Sequence, residues 1–232
     1  MTYKPKTKLE KFGEKVFNLL VDNFPQTFYV GGMVRDILLG IKVTDIDIAT
    51  EATPPQVVKI LSNSGIICDD SYSRFGVIVA KSGGLKIEIA TFRKDLQSPG
   101  RYPKISFVKS VKIDSQRRDF TVNALYLSSK SGKILDFHNG LKDFKLKHLK
   151  FIGSPEKRIM EDPLRIIRAL RFSKTLGFKP QGRTKNALKK NFYLIKHLTK
   201  SRIKNELDKI KNLNFKKNIS SEINKQISLD IK

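Results

Sequence analysis

The sequence predicts an α+β fold in which a mixed sheet is flanked by helices and an all-helical segment follows. Two observations lead to this prediction. Up to about residue 150, apolar runs of strand length alternate with helix-length segments and are separated by Gly and Pro. Beyond about residue 154, apolar residues recur at helical spacing. We therefore divide the chain into residues 1–150 and residues 151–232.

The first elements follow from local residue patterns. Apolar residues at helical spacing predict an amphipathic helix over Leu9–Asn23. The apolar run Phe28–Val30 predicts a strand, which ends where Gly31-Gly32 allows a tight turn. The next segment, Val34–Leu39, predicts a short helix, and the alternating run Val43–Ala49 predicts a second strand.

The rest of the first part contains one more helix and three short strands. Thr53 can cap a helix whose first turn accepts the two prolines that follow, and Gly65 ends that helix. Strands are predicted over Val77–Lys81, Lys86–Thr91 and Ile105–Lys109.

The glycine turn and the run Asp45-Ile46-Asp47 form the most informative pair of motifs. Amides that open a helix after a glycine turn are a natural seat for a triphosphate. Asp45 and Asp47 lie at i and i+2 of an alternating run, so both carboxylates share one strand face. Hard oxygen ligands on a rigid edge suit Mg²⁺. Each motif alone is also common in ordinary turns and charged chains, but together they predict a nucleotide and metal site.

A third carboxylate is needed near this pair, either to complete metal coordination or to accept a proton. Glu88 is the candidate, because the isoleucines on either side of it point to the opposite strand face. A solvent-facing glutamate on an edge strand is the alternative.

Arg117-Arg118-Asp119 is a further candidate binding site. Guanidinium groups bind phosphate oxygens in a bidentate manner, and Asp119 can accept a hydrogen bond from a ribose hydroxyl. Two surface arginines beside a helix-capping aspartate are the alternative.

The run Glu161-Asp162-Pro163-Leu164-Arg165 allows two interpretations. Asp162 and Arg165 are three residues apart, so on a helix they share a face and can pair. An acceptor beside a donor can mimic a Watson–Crick edge. Asp162 before Pro163 is also a typical helix cap followed by proline at the first helical position. Both roles are compatible with each other.

Three motifs in this order resemble those of the class II tRNA nucleotidyltransferase and bacterial poly(A) polymerase family: Gly31–Thr50, Arg117–Ala124 and Glu161–Arg165. The similarity covers roughly residues 10–210. It implies a nucleotidyltransferase catalytic head over residues 1–150 and a helical neck with a nucleotide-selecting motif over residues 151–232. The implied activity is template-independent addition of C, A or both to the tRNA 3′ end from CTP and ATP, which is CCA addition or repair. A poly(A) polymerase and a catalytically idle RNA-binding paralogue are the alternatives, and the intact aspartate pair favours an enzyme.

The resemblance also implies site residues and a cofactor. Asp45, Asp47 and Glu88 are the implied catalytic residues, and Mg²⁺ is held by Asp45 and Asp47. The segment Lys94–Pro103 takes the place of a flexible loop that helps to position the last nucleotide, and its presence favours A addition. The implied nucleotide-binding residues are Gly31, Gly32, Arg35, Arg117, Arg118, Asp119, Asn123, Asp162, Arg165 and Arg168.

The charge balance favours a polyanionic partner. Lys and Arg number 46 against 22 Asp and Glu, which gives a net charge of +24. Residues 173–232 hold 16 Lys or Arg and 4 Asp or Glu, so half of the excess lies there. This asymmetry predicts a C-terminal part that faces nucleic acid. General lysine richness is the alternative.

Composition also excludes several classes of protein. Cys68 is the single cysteine, which excludes an internal disulfide framework and a thiolate zinc site. No apolar run reaches the roughly 18 residues of a membrane span, and the first residues lack the apolar core of a signal peptide. We therefore expect a soluble, cytoplasmic protein.

The C-terminal part departs most from the family. Ser201–Leu207 resembles the last neck helix, and the polar stretch Asn212–Lys232 that follows is expected to fray. The body and tail domains that hold tRNA in relatives are expected to be absent. The enzyme is then minimal, or it is a truncated product, or a homo-oligomer or a partner protein supplies the missing grip.

Overall fold

A computed structural model describes residues 3–96, 104–210, 217–221 and 223 of the chain. Most of the predicted loop over Lys94–Pro103 and most of the stretch Asn212–Lys232 lie outside these residues. The chain folds into two compact units. Within the described residues, the first unit comprises 3–96, 104–118 and 123–140, and the second comprises 119–122 and 141 onward.

The first unit contains the predicted mixture of helices and strands. Its helices are α1 (Lys8–Val21), α2 (Gly32–Leu38), α3 (Pro54–Asn63) and α4 (Val111–Gln116). Its strands are β1 (Thr27–Val30), β2 (Asp47–Thr50), β3 (Ile67–Asp69), β4 (Val77–Ser82), β5 (Leu85–Thr91), β6 (Arg93–Asp95), β7 (Ile105–Phe107), β8 (Leu125–Leu127) and β9 (Ile134–Asp136).

The main sheet of this unit is mixed, as predicted. Its strand order is β3-β4-β5-β2-β1-β8-β9, while β6 and β7 form a separate hairpin. Strands β2 and β5 run parallel, and the other neighbouring strands are antiparallel. This order places β2, with Asp47 as its first residue, at the centre of the sheet.

Helices α1 and α3 cover one face of the sheet. A complete capping box starts α1, because Thr7 Oγ1 accepts from the Glu10 amide at 3.2 Å and Glu10 Oε2 accepts from the Thr7 amide at 2.7 Å. Gly13 allows α1 to approach the sheet closely: a Cβ at this position would lie 2.6 Å from Ile46 Cδ1. Helix α1 also packs against α3. The face to which Ile46 points is therefore buried.

The opposite face is buried at one end and open at the other. An apolar cluster that includes Phe28, Phe92 and Tyr126 lies at the buried end, where α4 contributes Val111. Glu88 on β5 belongs to the same face and is exposed. The polar residues of this face therefore meet solvent.

The second unit is built mainly of helices. Its elements are α5 (Gly140–Lys145), β10 (His148–Leu149), α6 (Pro155–Glu161), α7 (Leu164–Leu176), β11 (Lys179–Pro180), α8 (Gly182–Lys190) and α9 (Lys200–Leu207). The prediction of an all-helical segment is wrong in one detail, because β10 and β11 pair in parallel. Gly177, with φ of +71°, ends α7, and Pro180 then prevents an immediate return to a helix.

The apolar side chains of α7 form the centre of this unit. Ile166, Ile167 and Phe172 are buried in one cluster with Phe120 and Phe151. None of the helices in the described ranges is both long and apolar enough to cross a membrane.

Candidate active site

The aspartate pair lies where the chain enters β2. The two isoleucines that alternate with it are buried, so the backbone turns Asp45 and Asp47 to the open face. The prediction of one strand over Val43–Ala49 is wrong at its start, because β2 begins at Asp47. The Glu88 amide still donates to the Ile46 carbonyl at 3.2 Å. This bond keeps the backbone extended before β2 and preserves the shared face.

Asp47 lies against the glycine turn. It pairs with Val30, the last residue of β1, and Gly31 follows with φ of +72°. A Cβ at Gly31 would lie 3.1 Å from Asp47 Oδ2, so glycine leaves room for this carboxylate. Gly32 opens α2, whose N-terminus has no side-chain cap. Amides in this position are donors that a phosphate group can use.

Gly31→Ala should impair nucleotide incorporation beyond any loss of stability. Gly40→Ala is the matched control, because Gly40 also has a positive φ, of +66°, but its Cβ would meet nothing within 4 Å. Both variants should lose about 1 kcal/mol or more of folding stability, read as a lower melting temperature. Only Gly31→Ala should also lose incorporation, by roughly tenfold, the effect of about 1.4 kcal/mol on a transition state. Equal incorporation by the two variants would contradict a role for Gly31 in shaping the site.

Glu88 stands beside Asp47 because the two residues are in register on the parallel strands β5 and β2. Residues paired in this way project to the same face. Within the described parts of the chain, no group of three or more His, Cys, Asp or Glu side chains is placed to hold a metal ion. Glu88 therefore does not complete a preformed three-ligand site with Asp45 and Asp47.

The aspartate pair nevertheless fits a divalent cation. A cation such as Mg²⁺ keeps several waters and uses one or two protein carboxylates together with substrate phosphates. Asp45 is exposed and Asp47 is partly exposed, so both carboxylates can reach such a cation. The space that Gly31 leaves beside Asp47 Oδ2 is consistent with this use.

Arg35 and Asn123 bind each other. Arg35 Nη1 donates to Asn123 Oδ1 at 3.0 Å, while its Nε and Nη2 donate to Asp36 Oδ1 at 3.0 and 2.7 Å. Both Arg35 and Asn123 are buried. A Cβ at Gly32 would lie 3.4 Å from Arg35 Nη2, so the guanidinium lies beside the start of α2. These two predicted binding residues therefore brace the glycine turn.

A buried carboxylate that the sequence analysis missed positions the arginine pair. Asp114 on α4 accepts from Arg117 Nε at 2.8 Å and from Arg118 Nη2 at 3.1 Å. It also accepts from the Tyr126 hydroxyl at 2.8 Å. Burial raises the pKa of the Asp114 carboxyl, but Arg118 and Arg117 outweigh this effect and hold that pKa at about 2. The sequence does contain a signal for this contact: Asp114 precedes Arg117 by three residues and Arg118 by four, so on a helix it can pair with both.

In the second unit, Arg168 holds Asp119. Arg168 Nε and Nη2 lie 2.8 and 2.6 Å from Asp119 Oδ2, and the Phe120 amide donates to Asp119 Oδ1 at 2.7 Å. Arg168 Nη1 also lies 3.6 Å from the buried Glu206 carboxylate, which binds Arg171 at 2.7 Å. Burial raises the pKa of Glu206, but the surrounding cations bring it below its ordinary value. This row of alternating charges fixes the orientation of Asp119.

Asp162 and Arg165 do not form the predicted pair. Asp162 lies before α7 in an extended conformation, and its Oδ1 accepts from the Leu164 amide at 3.0 Å, but the N-cap residue of α7 is Pro163 and not Asp162 as predicted. Arg202 Nη2 contacts both oxygens of Asp162, at 3.0 and 2.9 Å. Arg165 instead donates to Glu161 at 2.8 Å and to a carbonyl of α6. The shared-face argument failed because Asp162 lies outside the helix, whereas Arg165 leans toward the helix N-terminus.

Known proteins resemble the chain in sequence and in fold. Residues 27–150 match the family model described as the poly A polymerase head domain. The CCA-adding enzyme of Ligilactobacillus salivarius (strain UCC118) is 41% identical over 180 residues, which are 77% of this chain and 43% of that enzyme. The crystal structure of the Bacillus stearothermophilus CCA-adding enzyme in complex with CTP has a TM-score of 0.76 at 32% identity, over 88% of this chain and 49% of that chain.

A third similar protein is a tRNA nucleotidyltransferase complexed with a primer tRNA and an incoming ATP analog. Its TM-score is 0.69 at 33% identity, over 88% of this chain and 58% of that chain. The chain therefore spans about half the length of the relatives that it matches.

Proposed function

The chain belongs to the family of the poly(A) polymerase head domain, and we propose that it is a template-independent RNA nucleotidyltransferase that adds C, A or both to the tRNA 3′ end. The observation that carries the proposal is the pair Asp45 and Asp47 beside Gly31, with Glu88 in register on the next strand. The similar enzymes described with CTP, and with primer tRNA and an ATP analog, support these substrates.

We assign the triphosphate to the glycine turn of the first unit. Gly31 and Gly32 present the first amides of α2 to the phosphate oxygens. Arg117 and Arg118, anchored on Asp114, add positive charge in fixed positions. Donors that are already oriented stabilise the charge that develops on pyrophosphate as it leaves.

Asp45 and Asp47 would hold Mg²⁺, which when bound supplies a Lewis acid for the phosphoryl oxygens of the nucleotide. Glu88, which projects beside Asp47, accepts the proton of the RNA 3′-hydroxyl. The 3′-oxygen then bonds to the α-phosphorus of CTP or ATP, and the bond to pyrophosphate breaks.

We assign recognition of the nucleoside to residues of the second unit. Asp119, oriented by Arg168, accepts a hydrogen bond from a ribose hydroxyl. Asp162 and Arg165 bind the base as separate groups, because each is held by its own partner. Asp162 supplies the acceptor, and Arg165 supplies donors.

The direct test is incorporation of each nucleotide on its own. The purified protein is incubated with tRNA that lacks its 3′ end, with Mg²⁺, and with one labelled nucleoside triphosphate at a time. Addition of C, A or both, and of little U or G, supports the proposal. Long products from ATP alone would instead identify a poly(A) polymerase. Binding of RNA without any incorporation would identify a catalytically idle paralogue and overturn the proposal.

Arg165→Ala should remove base selection while leaving the protein folded. The preference for CTP and ATP over UTP and GTP should fall by roughly 10- to 100-fold, as expected for about 1–3 kcal/mol per base contact. Stability should fall by only about 1–2 kcal/mol, because Arg165, although 14% exposed, gives up one bond to an α6 carbonyl and one to the exposed Glu161 side chain. Single-nucleotide incorporation on the same tRNA, compared as kcat/KM, gives the preference.

Two further variants separate base reading from support of the helix. Asp162→Ala removes both the acceptor for the base and the bond from the Leu164 amide, so it should lower stability by about 1 kcal/mol and also lower the preference. Arg202→Ala leaves the Asp162 carboxylate and its bond from the Leu164 amide in place, so the preference should survive. Unchanged preference in Arg165→Ala would show that the assignment is wrong.

A further inference from the structure

A long acid-free segment lies in the second unit. Residues 163–205 contain 13 Lys or Arg and no Asp or Glu. The sequence alone does not distinguish cations that stabilise the fold from cations that face a partner. The structure distinguishes the ion-paired arginines of α7 and α9 from the exposed cations of α8, which are three lysines and Arg183.

The arginines of α7 and α9 are occupied inside the unit. Arg165 binds Glu161, Arg168 binds Asp119, and Arg171 binds Glu206. Arg202 binds Asp162 in the same way. These four guanidinium groups stabilise the helices through ion pairs. The positive charge of the segment that has no such partner therefore lies on other residues.

The lysines of α8 lie on its outer surface. Thr184 and Ala187 form the buried side of this helix, and Thr184 Oγ1 accepts from the Phe151 amide at 3.2 Å. Lys185, Lys189 and Lys190 are exposed. Within the described residues, neither Lys185 nor Lys189 has an ion-pair partner.

The 3₁₀ turn after α8 continues this surface. In the turn Phe192–His197, Leu194 and Ile195 are buried, whereas Tyr193 and Lys196 are exposed. Tyr193 is 43% exposed, and Lys196 Nζ lies 5.7 Å from the centre of its ring. An exposed aromatic ring beside cations is a common feature of surfaces that bind single-stranded nucleic acid, because a base can stack on the ring.

We propose that Lys185, Lys189, Lys190, Tyr193 and Lys196, here called the lysine face, bind the phosphate backbone of the RNA acceptor. The inference deepens the proposed function, on which it rests, by assigning the RNA contact to the outer surface of α8 and its following turn. Flexible ammonium groups suit contacts that depend on charge and not on sequence. RNA, as a polyanion, complements a surface on which exposed lysines outnumber acids, and the Glu156 carboxylate of α6 is the acid that acts on Lys190.

The test compares two variants that lose the same charge. In the first, the four lysines of the lysine face are replaced by Gln. In the control, four exposed lysines of α1 and α3 are replaced by Gln: Lys8, Lys11, Lys15 and Lys59. The dissociation constant for tRNA lacking its 3′ end is measured between about 50 and 200 mM salt. Circular dichroism melts check that both variants fold like the wild type.

Neutralising the lysine face should reduce the slope of log Kd against log salt by roughly three, since each phosphate contact contributes about 0.7–0.9. The control variant should keep the wild-type slope and wild-type incorporation. Equal slopes in the two variants would overturn the inference, whether both fall, as general basicity predicts, or neither does. Tyr193→Ala should weaken binding by roughly fivefold or more, while Tyr193→Phe should bind like the wild type.

The same measurements separate this inference from the proposed function. If the wild-type protein incorporates nucleotide but the two variants have equal slopes, the proposed function stands and the inference about the lysine face is wrong. If the lysine-face variant alone has a reduced slope but the wild-type protein incorporates no nucleotide, the inference about the lysine face stands and the proposed function is wrong.

Discussion

Asp47→Ala should lower nucleotide incorporation by roughly 100- to 1,000-fold, because a metal ligand in phosphoryl transfer contributes several kcal/mol to the transition state. Asp47 lies at the start of β2 and is partly exposed, so its truncation leaves no buried cavity. We therefore expect a melting temperature close to that of the wild type. Single-nucleotide incorporation at saturating Mg²⁺ and nucleotide measures the effect.

Asp22→Ala is the matched control for this prediction. Asp22 is an exposed aspartate of the same unit, and it binds Lys130 at 2.7 Å. Exposed ion pairs contribute little to stability, so this variant should match the wild type in both stability and incorporation. Asp45→Ala should behave like Asp47→Ala. If Asp47→Ala retains about one tenth of wild-type turnover, the metal assignment is wrong.

Local patterns predicted which face of the sheet carries Asp45 and Asp47, because such patterns depend on short-range chemistry. Buried isoleucines in an alternating run were sufficient to assign Asp45 and Asp47 to one face, although β2 itself begins only at Asp47. Such local patterns do not predict which strands pair with each other. The chain forms α3, β3 and β4 before β5 returns to pair with β2. The proximity of Glu88 to Asp47 is therefore a product of topology, and an alternating run does not specify it.

The position at which α7 begins explains why the predicted contact between Asp162 and Arg165 is wrong. Helical spacing placed Asp162 and Arg165 on one face, but the spacing argument holds only when both residues lie inside the helix. Asp162 lies just before α7 and turns toward Arg202, which is distant in sequence. The alternative interpretation of Asp162 as the cap is wrong by one position, because Pro163 is the N-cap residue of α7, although Asp162 still accepts from the Leu164 amide.

Asp114 escaped the sequence analysis for a different reason. A single aspartate on a short helix is typical of a solvated surface, since carboxylates are seldom fully buried unless they are paired. Its burial depends on Tyr126 from β8 as well as on Arg117 and Arg118. Sequence spacing indicates that the two arginines can contact Asp114, but it does not indicate that Tyr126 does. The sequence therefore predicted two binding residues and missed the carboxylate that holds them.

Asp114→Ala should destabilise the first unit by about 3–5 kcal/mol, because it leaves two partly buried guanidinium groups without their shared anion. Tyr126→Phe is the control, since it removes a neutral hydroxyl that donates to Asp114 and accepts from Arg118 Nε at 2.7 Å, and it should cost about 2 kcal/mol. Denaturant unfolding at neutral pH gives both values. A loss no larger than that of the control would show that Asp114 does not anchor the arginines.

The pH dependence gives an independent test through Asp114→Asn, which keeps the shape of the side chain and removes its charge. The folded pKa of Asp114 is about 2, below the ordinary value of about 3.9. A lowered pKa means that the carboxylate contributes its full stabilisation above about pH 4 and loses it as the pH falls toward 2. The difference in stability between wild type and Asp114→Asn should therefore be constant near neutral pH and shrink between about pH 4 and pH 2. At neutral pH and low temperature the folded variant should also show a raised KM for the nucleotide, because Arg117 and Arg118 have lost the charge that orients them. A stability difference that persists unchanged at the acid end would mean that the negative charge of Asp114 is not what stabilises the fold.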